Sequence, residues 1–255
     1  MTPMTNGSRD DRVLLAGPQS RRRDLWLLIR TMTDFVRGFR RLHFVGPCVT
    51  VFGSARVTED HPYYALGRKV GAGLARLGFT VMTGGGPGLM EAANRGAQEA
   101  GGCSVACNIH LPKGHETPNS YLDHSVRVHH FFVRKVLLFK YSYAFVALPG
   151  GFGTMDELFE ALTLVQTGKI QSFPIVLMGT SYWRRLLHLI RTMEREGTIS
   201  PDDLRLWLTT DDLDEALAHI KAHTVNRFGL LSRRPRRPSR ILGEPRVARR
   251  PAGPA

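Results

Sequence analysis

The sequence predicts an α/β fold, a doubly wound parallel sheet within a single domain. Three observations carry this expectation. Short segments that are apolar throughout alternate with longer segments of helical periodicity. Strands without a polar face belong to parallel sheets covered on both sides. Three of the strand-like segments end in small or glycine-rich turns, at Gly53-Ser54, Gly84-Gly85-Gly86 and Gly150-Gly151. The length, 255 residues, suits one large domain with a sizeable core.

The elements follow in order. Residues 24–42 place Leu25, Leu28, Ile29, Met32, Val36 and Phe39 at helical spacing, which predicts a first helix. CVTVFGS (48–54) is an apolar strand that ends in Gly-Ser. A helix is expected over 62–77, where Pro62 suits a first turn. FTVMTGGG (79–86) runs from strand into glycines, and 87–100 is helical. CSVACNI (103–109) reads as a third strand, and 126–130 as a short fourth after a polar segment. Further expectations are a helix over 133–143, a strand in 144–151 and a helix over 153–167. A strand over 173–179 and a helix through residue 193 follow, then a candidate strand at 206–208 and a last helix over 211–223. Such an alternation is Rossmann-like, and sheets of this kind bind ligands beyond the carboxyl ends of their strands.

Composition removes several classes of function. No apolar run approaches the about 20 residues of a membrane span. The N-terminus has no apolar core of a secretory signal, and Cys48, Cys103 and Cys107 read as buried thiols of a reducing compartment, so a cytoplasmic protein is expected. No Cys or His spacing indicates a metal site. The net charge of +13 is concentrated in two tails. Residues 1–23 carry +3 and residues 232–255 carry +7, which leaves the intervening chain nearly neutral. The Arg- and Pro-rich 232–255 tail reads as disordered and solubilising, with weak, salt-sensitive nucleic-acid contact as the lesser reading. The domain organisation expected is therefore a basic tail over 1–23, a helix within 24–45, the α/β domain over 46–231 and a second basic tail.

The glycine turns carry the chemistry. In VALPGGFGTMDE (146–157) a strand ends at Leu148, Pro149-Gly150-Gly151 turns the chain, and Gly153-Thr154 opens a helix. Glycine lets a ligand approach the backbone, and free amides at a helix start attract phosphate. No Gly-Lys-Ser/Thr follows, and the dinucleotide spacing is absent, so a monophosphate is the natural ligand. Asp156 and Glu157 occupy the first turn of the same helix. Both complement a helix dipole, and either could face the ligand, because one helical step of about 100° separates them. Arg134 and Lys135 interrupt an apolar stretch; they form either a solvated helix face or a cationic partner for the carboxylates. His129 and His130 read as structural or surface residues.

GGGPGLMEAANRGA (84–97) and PGGFGTMDE (149–157), with FFVRK (131–135) between them, resemble the Lonely Guy (LOG) family over about residues 46–222. These are cytokinin riboside 5′-monophosphate phosphoribohydrolases, often labelled lysine decarboxylase-like. Glu91 follows Gly-Leu-Met where short plant-type members have glycine, and the chain is longer, so the likeness is to the longer bacterial members. The resemblance implies that Glu157 and Arg134 are catalytic. It implies that Lys135 and Glu116 touch the substrate, and that Gly150, Gly151, Gly153 and Thr154 hold its phosphate with Asp156 and Thr163 close by. Ser54, Gly85, Gly86 and Met90 would line the nucleotide pocket. The implied reaction cleaves a nucleoside 5′-monophosphate, AMP or a cytokinin riboside 5′-monophosphate, into free base and ribose 5-phosphate, with no metal or cofactor. A homodimer formed through the helices of this region is also implied.

Two other activities compete. A non-catalytic protein that binds a nucleotide or a phosphorylated cofactor, like a molybdenum cofactor carrier, would need only the glycine turns; Arg134 with Glu157 separates the two. Amino-acid decarboxylation needs a lysine imine with pyridoxal phosphate, and only Lys135 and Lys140 lie near the motifs.

Overall fold

The computed structural model of the chain describes residues 17–18, 20–110, 117–171 and 173–228. Both basic tails therefore lie outside the described residues, apart from the few at the start of the first helix. Seven strands form one sheet: β1 (Cys48–Phe52), β2 (Thr80–Thr83), β3 (Ser104–Ile109), β4 (His124–Val128), β5 (Ser142–Ala147), β6 (Ile175–Leu177) and β7 (Leu208–Thr209). Every pairing is parallel, and the order is β4-β3-β2-β1-β5-β6-β7. The helices are α1 (Arg21–Leu42), α2 (Pro62–Arg76), α3 (Leu89–Glu99), α4 (Phe131–Tyr141), α5 (Phe152–Gln166), α6 (Thr180–Arg195) and α7 (Leu213–Phe228). The expected α/β class is what the chain adopts.

The all-apolar strands have the two-sided burial that their composition requires. Val49 and Val51 of β1 point into one core layer, with Leu74 of α2, Leu89 of α3 and Ile220 of α7. Cys48 and Phe52 point into the other, with Leu42 of α1, Leu137 of α4, Leu158 of α5 and Trp183 of α6. Phe52, Phe139 and Phe173 each meet Phe145 edge-on, with ring centroids 4.6–4.9 Å apart.

Local chemistry moves several boundaries. β2 stops at Thr83, because the chain turns at Gly84–Gly86, and α3 begins at Leu89 rather than 87, since Gly88 has φ +68°. The expected 133–143 helix starts and ends two residues earlier. It passes into β5 without a loop, as the Ser142 hydroxyl donates to the Leu138 carbonyl and contacts Thr50 of β1. A 3₁₀ turn at Pro201–Arg205, capped reciprocally by Ser200 and Asp203, has no hydrophobic periodicity and was not expected.

α2 and α3 pack backbone to backbone. A Cβ on Gly96 would fall on the Arg68 carbonyl oxygen, and one on Gly71 on the Ala93 carbonyl oxygen. Gly96→Ala is therefore expected to lower stability by about 1–3 kcal/mol or more, since neither helix backbone can yield cheaply. Urea denaturation measures this; an unchanged midpoint would contradict the packing described. α1 is fixed more polarly. Its buried Asp34 accepts the His129 amide at 2.8 Å and contacts His129 Nδ1 at 3.0 Å, which anchors the turn that leads into α4.

Candidate active site

The strand order reverses between β1 and β5, because β2 to β4 continue on one side and β6 and β7 on the other. A crevice opens at such a switch point, beyond the strand ends. Here the turn after β1 (residues 53–56) faces the start of α5. Two backbone contacts strap that turn in place, and one side-chain contact closes it. The Ser54 amide donates to the Pro149 carbonyl at 3.0 Å, and the Leu89 amide donates to the Ser54 carbonyl at 2.9 Å. The Ser54 hydroxyl accepts the Arg56 amide at 3.1 Å.

Between these turns lies a cavity of about 500 Å³, within the range of small-molecule sites. Ser54, Met90, Arg134, Gly151, Gly153, Thr154, Asp156 and Glu157 line it, as do Arg56, Phe52, Phe131 and Phe152. The Thr154 and Met155 amides both donate to the Gly151 carbonyl at 3.0 Å. The Phe152 and Gly153 amides ahead of them have no carbonyl one turn back to bond, and nothing lies within 4 Å of where a Cβ on Gly151 or Gly153 would stand. Gly150 sits just behind. A Cβ there would fall on the Thr154 hydroxyl, and the Gly150 carbonyl accepts the Tyr182 hydroxyl at 2.6 Å.

The two carboxylates of α5 separate clearly. Asp156 is half exposed and pairs with Lys135 Nζ at 2.8 Å. Glu157 is turned inward and only 7% exposed, and its Oε2 has no hydrogen-bond partner among the described residues. Burial pushes its pKa up to about 7, with Lys135 and Arg134 opposing the rise and Glu160 and Asp156 adding to it. A buried carboxyl poised near neutrality suits a group that changes protonation state or charge partner during a reaction.

Arg134 reaches the cavity from α4 through a slot. Its Nε donates to the Cys107 carbonyl at 3.1 Å. A Cβ on Gly84 would collide with its terminal nitrogen. The first glycine run thus gives the arginine passage, and its own backbone is held by Asn108 Nδ2, which donates to the Gly84 carbonyl at 3.2 Å.

Some candidates stand elsewhere. Gly85 and Gly86 are not among the lining residues; the Gly86 carbonyl accepts Asn119 Nδ2 at 3.0 Å. Lys135 and Thr163 lie in a shallower neighbouring cleft, where Lys135 also pairs with Glu160 at 2.7 Å. Glu116 lies outside the described residues. Sequence reasoning missed Arg56, which adjoins the Gly53-Ser54 turn, and passed over Phe52, Phe131 and Phe152 inside the very segments it had singled out. A second hollow of about 480 Å³ lies against α2 and α3, but its Arg68 and Arg95 are paired with Glu99 and Glu59. Among the described residues no group of three or more His, Cys, Asp or Glu side chains could hold a metal ion. No helix there is long and apolar enough to cross a membrane.

The family model described as possible lysine decarboxylase matches residues 90–220. The cytokinin riboside 5′-monophosphate phosphoribohydrolase of Rhodococcoides fascians is 31% identical over 179 residues, spanning 68% of this chain and 89% of that one. The protein of the same name from Mycobacterium marinum is 29% identical over 171 residues, spanning 66% and 90%. Among solved structures, the molybdenum cofactor carrier protein of Chlamydomonas reinhardtii shares the fold, with a TM-score of 0.51 and 22% identity over 70% of this chain and 98% of that one.

Proposed function

The chain belongs to the family described as possible lysine decarboxylase, to which its phosphoribohydrolase relatives point, and on that premise we propose that its cavity hydrolyses the N-glycosidic bond of a nucleoside 5′-monophosphate. AMP or a cytokinin riboside 5′-monophosphate would be the substrate, and free base with ribose 5-phosphate the products. One observation carries the proposal: the buried Glu157 carboxyl, whose Oε2 has no partner among the described residues, beside the glycine turn that opens α5.

The 5′-phosphate would rest on the amides at the start of α5 and the Thr154 hydroxyl, which fixes the ribose next to the first helical turn. As the bond from C1′ to the base nitrogen lengthens, positive charge develops at C1′. Ionised Glu157 would stabilise that charge and then accept a proton from the attacking water. The Arg134 guanidinium would donate to the departing base, whose planar face suits the exposed Phe131 ring. Decarboxylation finds no support, because among the described residues no lysine lines the cavity and Lys135 is committed to two carboxylates.

Incubation with AMP, followed by chromatography, tests the reading. Adenine and ribose 5-phosphate are expected in equal amounts. AMP that is bound but recovered unchanged would leave a carrier role instead.

The proposal extends to a homodimer. α1 exposes Leu25, Leu28, Ile29, Met32 and Val36 along one stripe, and neighbouring α4 exposes Phe131, Phe132 and Val136. Contiguous apolar surface of this extent marks an interface, and Phe131 also lines the cavity, so a second copy seated there would border the site. The double variant Met32→Glu/Val36→Glu is expected to halve the mass found by light scattering. A wild-type protein that is already monomeric at assay concentration would contradict the extension.

A further inference from the structure

We propose that Arg56 is the cation that receives the substrate's phosphate, and that it makes the cavity selective for phosphomonoesters over the corresponding nucleosides. The proposal rests on the reading of the site as a nucleotide pocket and adds to it the residue that sets the substrate's charge.

A nucleoside monophosphate carries close to two negative charges at neutral pH, and backbone amides alone supply only partial positive charge. A side-chain cation is expected beside the cradle. Lys135 is the lysine the sequence singles out for substrate contact, but it lines the adjoining cleft and is held by Asp156 at 2.8 Å and Glu160 at 2.7 Å. Arg134 lines the cavity, yet its Nε is committed to the Cys107 carbonyl and its guanidinium lies against Gly84, on the β2 side of the crevice. Arg56 lines the same cavity as Gly151, Gly153 and Thr154, and its guanidinium has no partner among the described residues. Of the two arginines that line the cavity, it is the one whose side chain has no partner among the described residues.

The backbone that carries Arg56 is unusually constrained for an exposed residue. Its own amide is bonded to the Ser54 hydroxyl. Ser54 is tied to Pro149, at the head of the cradle, and to Leu89, at the start of α3. Gly88 packs so closely that a Cβ would fall on the Ser54 carbonyl oxygen. The turn is thus fixed against the cradle, while the side chain is left free to close on an anion. A planar guanidinium makes two parallel hydrogen bonds to phosphate, which a lysine cannot.

The test compares wild type, Arg56→Ala and Arg56→Lys with AMP and adenosine as substrates and inorganic phosphate as competitor. For Arg56→Ala, kcat/KM for AMP is expected to fall about 10- to 100-fold through KM, the scale of a hydrogen bond to a charged group. The loss for adenosine should be much smaller, inhibition by phosphate should weaken in parallel, and Arg56→Lys should recover part of each. Equal losses for AMP and adenosine, or unchanged phosphate inhibition in the alanine variant, would overturn the assignment. The nucleotide reading fails separately: if wild type cleaves neither compound, phosphate binding by calorimetry still decides Arg56, with weaker binding in Arg56→Ala supporting it and equal binding refuting it.

Discussion

Glu157→Gln is expected to lower adenine release from AMP by about 10²- to 10⁴-fold, the contribution of a positioned acid–base group, and at the same time to stabilise the protein above pH 7. The two effects share one cause. Folding removes the carboxyl from water and leaves Oε2 without a partner, so the charged form is disfavoured and the folded-state pKa lies near 7 against an ordinary value of 4.5. Between those values the unfolded chain gives up this proton and the folded protein keeps it. Stability therefore declines as pH rises from 4.5 to 7, and the whole penalty, up to about 3 kcal/mol, is present above pH 7. Glutamine does not titrate. The variant's melting temperature should exceed that of wild type at pH 8, and the two should converge toward pH 4.5. Wild-type activity should rise through pH 7 as the carboxylate forms. A variant equally active, or a stability difference independent of pH, would remove Glu157 from the role proposed.

Gly84→Ala is expected to cost about 10² in turnover of AMP, as a displacement of about 1 Å in a reacting site can. The added methyl would meet the Arg134 terminal nitrogen and also Met90 Sδ, at 2.9 Å. Both are ends of flexible side chains, so the fold should survive with a stability loss of about 1–2 kcal/mol. Arg134 would leave its slot and lose the Cys107 bond. Steady-state assays with AMP, alongside thermal melts, measure both effects. Turnover that stays intact in a folded Gly84→Ala protein would show that the position of Arg134 is immaterial.

The sequence made the architecture legible because a two-sided sheet demands segments such as CVTVF and AFVAL, which are buried throughout in the core. The turn and helix start at 149–154 were legible, since glycines express them locally. The choice between Asp156 and Glu157 was not, because it depends on which flank of α5 meets α4, and Lys135 draws Asp156 outward. Gly84–Gly86 looked like ligand-facing backbone, but Gly84 makes room for an arginine arriving from a helix about fifty residues on. Arg56 was invisible for a related reason: an arginine two residues past a turn is ordinary until the fold sets it across from the α5 amides.

The most direct measurement is the structure of the Glu157→Gln protein with AMP bound. The account predicts the phosphate on the amides of residues 151–153 and the Thr154 hydroxyl, and C1′ within about 4 Å of the residue-157 side chain, close to reacting distance. A phosphate seated elsewhere, or a ribose whose C1′ faces away from residue 157, would contradict it.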